Sequence, residues 1–117
     1  MELSDVTQQA IGAALRGAAA RQEALTANLA NANTPGYVRK DVDFHSALQN
    51  AMGTGRKPGE VSFTPVQDIG GMSRADGSTL DIDAESAKLA ANGLDHQAAV
   101  SIAATRTMTM RTALGVV

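Results

Sequence analysis

The chain has no cysteine and no tryptophan among its 117 residues. Without cysteine there is no disulfide, no thiolate zinc site and no cysteine nucleophile. Aromatic residues make up 3% of the chain and are limited to Tyr37, Phe44 and Phe63. Net charge is −2, and Lys and Arg form no basic stripe. Both the electrostatic footprint and the base-stacking platform of a nucleic-acid binder are therefore missing. No apolar run approaches the ~20 residues that span a bilayer, so no membrane insertion is expected. The opening MELSDVTQQAIGAAL is acidic and places no basic segment ahead of a long apolar one. It does not read as a cleavable secretory signal, so any export is expected by another route.

Large aliphatic side chains are also scarce. Leu, Ile, Val and Phe together number 23, against 22 Ala. That level is close to where chains stop folding alone. Burial stabilises by roughly 25 cal/mol per Å² of apolar area, and Ala offers little area. Ala does favour helices and lets them approach closely. The length allows one domain, and the composition suits helices that pack on other helices, including those of other chains.

Proline and glycine divide the chain in three. Residues 1–33 and 81–117 contain no proline, whereas residues 34–80 hold Pro35, Pro58, Pro65 and seven of the eleven glycines. This predicts a mainly α fold. Two long terminal helices (1–33 and 81–117) pack as an antiparallel, coiled-coil-like hairpin around an irregular middle (34–80).

In the first region Leu3, Val6, Ala10, Ala13, Gly17, Ala20, Ala24 and Ala27 form one seam at steps of three and four. Ile11, Leu15, Ala18, Gln22, Leu25, Leu29 and Ala32 form a second beside it. Two adjacent seams make a broad apolar face, as in a bundle. Ser4 is the expected N-cap. In the last region Asp81, Asp83 and Glu85 crowd the start and Arg106 and Arg111 lie toward the end, the order a helix dipole favours. The expected seams there are Ala87, Ala90, Leu94, Ala98, Ser101, Thr105 and Met108, and Val100, Ala103, Thr107, Met110, Leu114 and Val117. Gly93 interrupts this helix at a cost of about 1 kcal/mol relative to Ala. In the middle, residues 41–52 predict a short helix capped by Asp43 with Phe44, Leu48 and Met52 on one side. Residues 53–60 predict a flexible loop. Residues 61–66 have weak strand character, which Pro65 confines to an edge. Asp76-Gly77 suits a tight turn.

No catalytic constellation emerges. His45 and His96 are the only histidines, and each lies near an acid, Asp43 or Asp95, that points elsewhere if the segment is helical. Both read as surface or interface residues. Asp81, Asp83 and Glu85 read as helix-start charges rather than a metal site. No phosphate-binding glycine loop is present. No enzyme, cofactor or metal is expected.

The informative stretch is ALTANLANANTPGYVRKDVDF, residues 24–44. Asn31 and Asn33 are suited to ending a helix by adopting left-handed geometry. Pro35 pushes Thr34 out of helical geometry. Thr34-Pro35-Gly36-Tyr37 fits a type II turn, with Pro second and Gly third. So many specific residues in a row exceed what a helix stop requires.

The run Asn28-Leu29-Ala30-Asn31-Ala32-Asn33-Thr34-Pro35-Gly36-Tyr37, with Arg21-Gln22 and Leu25 upstream, resembles the N-terminal signature of the bacterial flagellar rod, hook and axial protein family. Arg39-Lys40-Asp41-Val42-Asp43-Phe44 is similar to the segment that follows it in a proximal-rod member. So is the C-terminal run Leu80 to Glu85, continued by Asn92-Gly93-Leu94-Asp95-His96-Gln97. His96 stands where the family has Tyr, and Ala91 where it has Glu. The short middle argues against hook and distal-rod members, and the Asp41–Phe44 run against the sibling FlgC.

The resemblance implies a structural subunit of the proximal rod, built into a helical assembly of its own copies that transmits torque for motility. It implies a periplasmic rod location, type III export without a cleavable signal, and FlgC, FliE and the ring protein FliF as partners. It implies no enzymatic role. Asn28, Asn31, Asn33, Thr34, Pro35, Gly36, Tyr37, Asp41, Asp43 and Phe44 would form the motif and turn. Leu3, Val6, Ile11, Leu15, Leu25, Leu29, Leu94, Val100, Met108, Met110 and Leu114 would carry subunit packing. The rival readings are a soluble cytoplasmic helical adaptor or chaperone for one partner, and the sibling rod protein FlgC.

Overall fold

A computed structural model describes residues 2–68 and 81–115, with side chains from Val6 onward. Leu3, Val117 and the Asp76-Gly77 turn lie outside the described residues or side chains. Helix α1 spans Glu2–Ala30 and helix α3 Ile82–Ala113. Between them lie a two-residue strand β1 (Lys40–Asp41), helix α2 (Phe44–Gly53), a 3₁₀ turn (Pro58–Glu60) and a second short strand β2 (Val66–Gln67). The strands pair antiparallel, Lys40 opposite Gln67 and Asp41 opposite Val66. The molecule measures 62 × 32 × 14 Å, so its thinnest dimension is scarcely more than one helix.

The helix ends follow local chemistry. Asp81 caps α3 by accepting hydrogen bonds from the backbone N–H of Asp83 (3.0 Å) and Ala84 (3.3 Å). Asp43 caps α2 by accepting from Ser46 N–H at 3.2 Å. Hydrogen bonding from the Ser46 side chain, then from its backbone N–H, holds the Asp43 carboxyl below the usual carboxylate range. Ser4 lies inside α1, which starts at Glu2, and so is not at the N-cap position. Residues 34–37 form the expected turn: Tyr37 N–H donates to Thr34 O at 3.2 Å, and Gly36 has φ +76°. Asn31 and Asn33 do not take left-handed geometry. Instead Asn31 Nδ2 donates to Ala27 O at 2.9 Å and its Oδ1 accepts from Thr34 Oγ1 at 3.3 Å.

α1 and α3 run antiparallel, with Asn28 meeting Glu85, Ala18 meeting Asn92 and Ile11 beside Ile102. The α3 face turned to α1 differs from both expected seams. Its buried residues are Glu85 and Asn92, continued by half-buried Leu89, Ala99 and Ala103. Of the expected seam residues, Leu94, Val100, Met108, Met110 and Leu114 are exposed. Around this Ala-, Ser- and Thr-rich helix the apolar contrast is too weak to select a face, and the polar residues select it.

The core lies toward the opposite end, where Ala18, Ala24, Val42 and Phe44 cluster with Phe63 and Ala20 against them. Phe44 drops onto Gly17 and meets Phe63 edge-on, with ring centroids 6.4 Å apart. In α2 the buried positions are Phe44 and Ala51; Met52, expected inside, is exposed. Residues 58–60 form a pinned turn rather than a loose loop. Pro58 is buried, Arg16 Nη1 donates to Val61 O at 3.0 Å, and Gly59 N–H donates to Gln9 Oε1 at 3.2 Å.

A Cβ on Gly17 would lie 2.5 Å from Phe44 Cβ, whereas one on Gly12 would meet nothing within 4 Å. Gly17→Ala should therefore destabilise the subunit by about 1–3 kcal/mol through overpacking. Gly12→Ala should be neutral or stabilising by up to about 1 kcal/mol. Urea titration of both variants checks the pair, and equal effects would contradict the packing.

Candidate functional site: a buried polar clamp

The signature segment and the start of α3 converge on three buried polar residues, Asn28, Arg39 and Glu85. Asn28 sits on the last turns of α1 and uses its full capacity of two donors and two acceptors. Its Nδ2 donates to Lys40 O (2.7 Å) and Glu85 Oε2 (3.0 Å). Its Oδ1 accepts from Lys40 N–H (3.0 Å) and Tyr37 Oη (3.2 Å). The amide thus pairs with the Lys40 backbone as a neighbouring strand would, and satisfies the edge of β1 that β2 leaves open.

Arg39 distributes its fork over three carboxylates. Nε pairs with Glu85 Oε1, Nη1 with Asp68 and Nη2 with Asp41 at 3.3 Å. Asp41 also takes Arg21, through Nε at 2.9 Å and Nη2 at 3.4 Å. Burial lowers the Arg39 pKa, but Glu85 and Asp41 outweigh it and raise the net value. Burial likewise pushes the Asp41 carboxyl up, but Arg21, the Val42 N–H and Arg39 together hold it below its ordinary range. Glu85 is only 1% exposed. It is therefore the anion at the centre of the clamp and not merely a helix-start charge.

One heptad further along α3, Asn92 Nδ2 donates to Ala18 O at 2.9 Å and to Gln22 Oε1 at 3.2 Å. The two polar anchors lie on one stripe of α3, and each reaches α1.

The structure divides the expected site residues. Asn28, Tyr37, Asp41, Asp43 and Phe44 are tied into the fold as described. Asn33, Thr34 and Pro35 are exposed. Of the expected packing residues, Leu25 is fully buried and Ile11 nearly so, which commits both to contacts within the subunit. Leu15 and Leu29 are half-buried. Arg39, Glu85 and Asn92 were not among the expected site residues. The signal for the last two was their seven-residue spacing on α3; for Arg39 it was a cation two residues after the turn.

His45 pairs across elements. His45 Nε2 lies 3.0 Å from Asp95 Oδ2, with both side chains substantially exposed, and His45 stacks on Phe44 at 4.1 Å. Among the described residues no group of three His, Cys, Asp or Glu is placed to hold a metal ion.

Two outcomes follow. Glu85→Ala leaves the buried Arg39 Nε and one of the two Asn28 Nδ2 donors unpaired, and should cost about 3–5 kcal/mol in a denaturant titration. Asp41 has a depressed folded pKa, so its contribution is complete above the unfolded value near 3.8 and disappears as pH falls through the lower folded value. The stability gap between wild type and Asp41→Asn, followed by thermal melts, should hold from pH 7 to 5 and close below pH 4.

Residues 10–37 match the family model for flagella basal body rod proteins. The chain is 34% identical to the flagellar basal body rod protein FlgB of Salmonella typhimurium over 108 residues, covering 76% of this chain and 78% of that protein. It is 36% identical to FlgB of Escherichia coli K12, covering 75% and 78%, and 36% identical to FlgB of Yersinia ruckeri, covering 76% and 79%. Asn28 and Tyr37 of the clamp fall within the matched segment, and the chain belongs to the FlgB family of flagellar basal-body rod proteins and is a structural component of the rod.

Proposed function

We propose that this subunit builds the proximal rod across the periplasm, passes torque between copies through interlocked helices, and contacts FlgC, FliE and the ring protein FliF. It reaches the rod through the flagellar type III export apparatus. The observation that carries this reading is the uncovered half of α3. Leu94, Ile102, Met108, Met110 and Leu114 are all more than half exposed on a layer one helix thick. So many large apolar side chains left bare along one helix suit contacts with other protein. A rod subunit has neighbours to cover them. A mechanical role also suits a hairpin whose register is held by buried ion pairs rather than by Ala contacts that can slide.

Leu114 is 76% exposed and Val6 37%. Val6→Asp and Leu114→Asp should therefore leave the fold of the subunit intact while placing a charge in a dry contact, at a cost of several kcal/mol per site. The expected result is loss of swimming and of the protein from detergent-extracted basal bodies, with the variant still recovered in the periplasm. Normal swimming by both variants, with both retained in basal bodies, would remove the packed-rod reading. Wild-type protein confined to the cytoplasm would favour an adaptor.

A further inference from the structure

Of the five asparagines in the chain, Asn92 alone is followed by glycine. An asparagine side chain carries an electrophile, the amide carbon Cγ, close in the chain to the backbone nitrogen of the next residue. Attack of that nitrogen on Cγ closes a five-membered ring. Glycine permits the approach, because no Cβ crowds the nitrogen and the backbone reaches the angles required. Leu29, Ala32, Thr34 and Ala51 follow the other four asparagines, and each carries a Cβ that hinders the same closure.

The fold withholds this chemistry. Asn92 and Gly93 lie inside α3, where helical geometry commits the Gly93 N–H to the ladder and holds its nitrogen away from Cγ. Asn92 Nδ2 is held by Ala18 O at 2.9 Å and Gln22 Oε1 at 3.2 Å, and the residue is only 1% exposed. The ring closes only where α3 leaves helical geometry and the amide lets go of α1. Gly93 can be replaced without a clash, since a Cβ there would meet no atom within 4 Å.

We propose that Asn92-Gly93 is a self-modification site, closed in the folded hairpin and open in the unfolded chain, at which deamidation destroys the second anchor between α3 and α1. The Gly93 nitrogen gives up its proton and bonds to Asn92 Cγ. The Cγ–Nδ2 bond breaks, and Nδ2 leaves as ammonia with that proton. Water then opens the cyclic imide at one of its two carbonyls. The product is aspartate or, with the main chain rerouted through the side chain, isoaspartate.

Neither product suits the place that Asn92 holds. A carboxylate offers no donor, yet it would face two acceptors, Ala18 O and the Gln22 side chain. Turning the Gln22 amide to present its Nε2 would still leave Ala18 O without its side-chain donor. The other oxygen gains nothing, because Asn92 Oδ1 already accepts no hydrogen bond among the described residues. Of the side chains lining the adjacent hollow, His96 alone can carry a positive charge. An unpaired buried charge is strongly unfavourable. A chain that deamidates while open therefore does not regain the closed hairpin, and the reaction separates subunits that fold promptly from those that stay open.

The test holds the full chain at mildly alkaline pH in native buffer and in guanidinium chloride, and follows the tryptic peptide from Leu89 to Arg106 by mass spectrometry. Fragment masses should locate the exchange of NH2 for OH at Asn92 in denaturant. In native buffer it should be at least about ten-fold slower, because only opening exposes the site. Gly93→Ala should slow the reaction in denaturant and leave the fold intact. Asn92→Asp, which imitates one product, should melt below wild type or fail to fold. Equal rates in the two buffers, no reaction in denaturant, an undiminished rate in Gly93→Ala, or wild-type melting by Asn92→Asp would each overturn the proposal.

Discussion

The burial of the Arg39–Glu85 ion pair is the constraint on which the rest of this subunit depends. Taking two charges out of water costs several kcal/mol per ion, and their attraction offsets this only when every remaining donor and acceptor is met. Here Asn28, the Lys40 backbone, Asp41 and Asp68 meet them, so the end of α1, the segment after the turn, and the start of α3 must arrive together. Sliding α3 by one turn, about 5.4 Å, would break the pair and leave both charges buried. The Ala contacts along the same helices impose no comparable penalty, because one Ala replaces another at each turn. The network is therefore better understood as setting register than as adding net stability. Asn92, seven residues on, applies the same discrimination at a second level.

This arrangement gives the signature segment a physical meaning. Its conspicuous residues are not a binding loop. Asn28 replaces a missing strand, Gly36 supplies the positive φ that reverses the chain, and Tyr37 returns its hydroxyl to Asn28. The turn brings Arg39 back to the helix it has just left. Asn33, Thr34 and Pro35 form the exposed outer surface of the same turn, with Thr34 bonded back to Asn31 and Tyr37.

What could be read from the sequence was whatever one residue decides locally. Asp43 as a cap and Thr34-Pro35-Gly36-Tyr37 as a type II turn each rest on a side chain acting within four residues of itself. The face that α3 turns to α1 was not legible in this way. Apolar periodicity identifies a face only when large and small side chains contrast, and α3 interleaves Ala, Ser and Thr around its circumference. Its inward face is chosen by Glu85 and Asn92, whose partners lie 46 to 74 residues away in sequence. Leu25 shows the same limit from the other side. A large aliphatic residue in a sparse helix looked available to a neighbouring subunit, but the subunit needs it for itself.

The two ends of the hairpin have consequently different characters. Near residues 28–44 and 85–92 almost every polar group is matched and the ring of Phe44 closes the core. Beyond residue 93, α3 has α1 on one side and exposed apolar residues around much of the rest. Local stability follows buried contact density, so opening should begin at this far end while the clamp persists. A subunit of this kind carries its own geometry at one end and leaves the burial of the other to assembly. The division also answers the shortage of large aliphatics in the chain: those few are concentrated where a single copy can bury them, or displayed on α3 where only another molecule can. A layer one helix thick has no third option, because a second internal layer would need apolar area that 22 alanines do not provide.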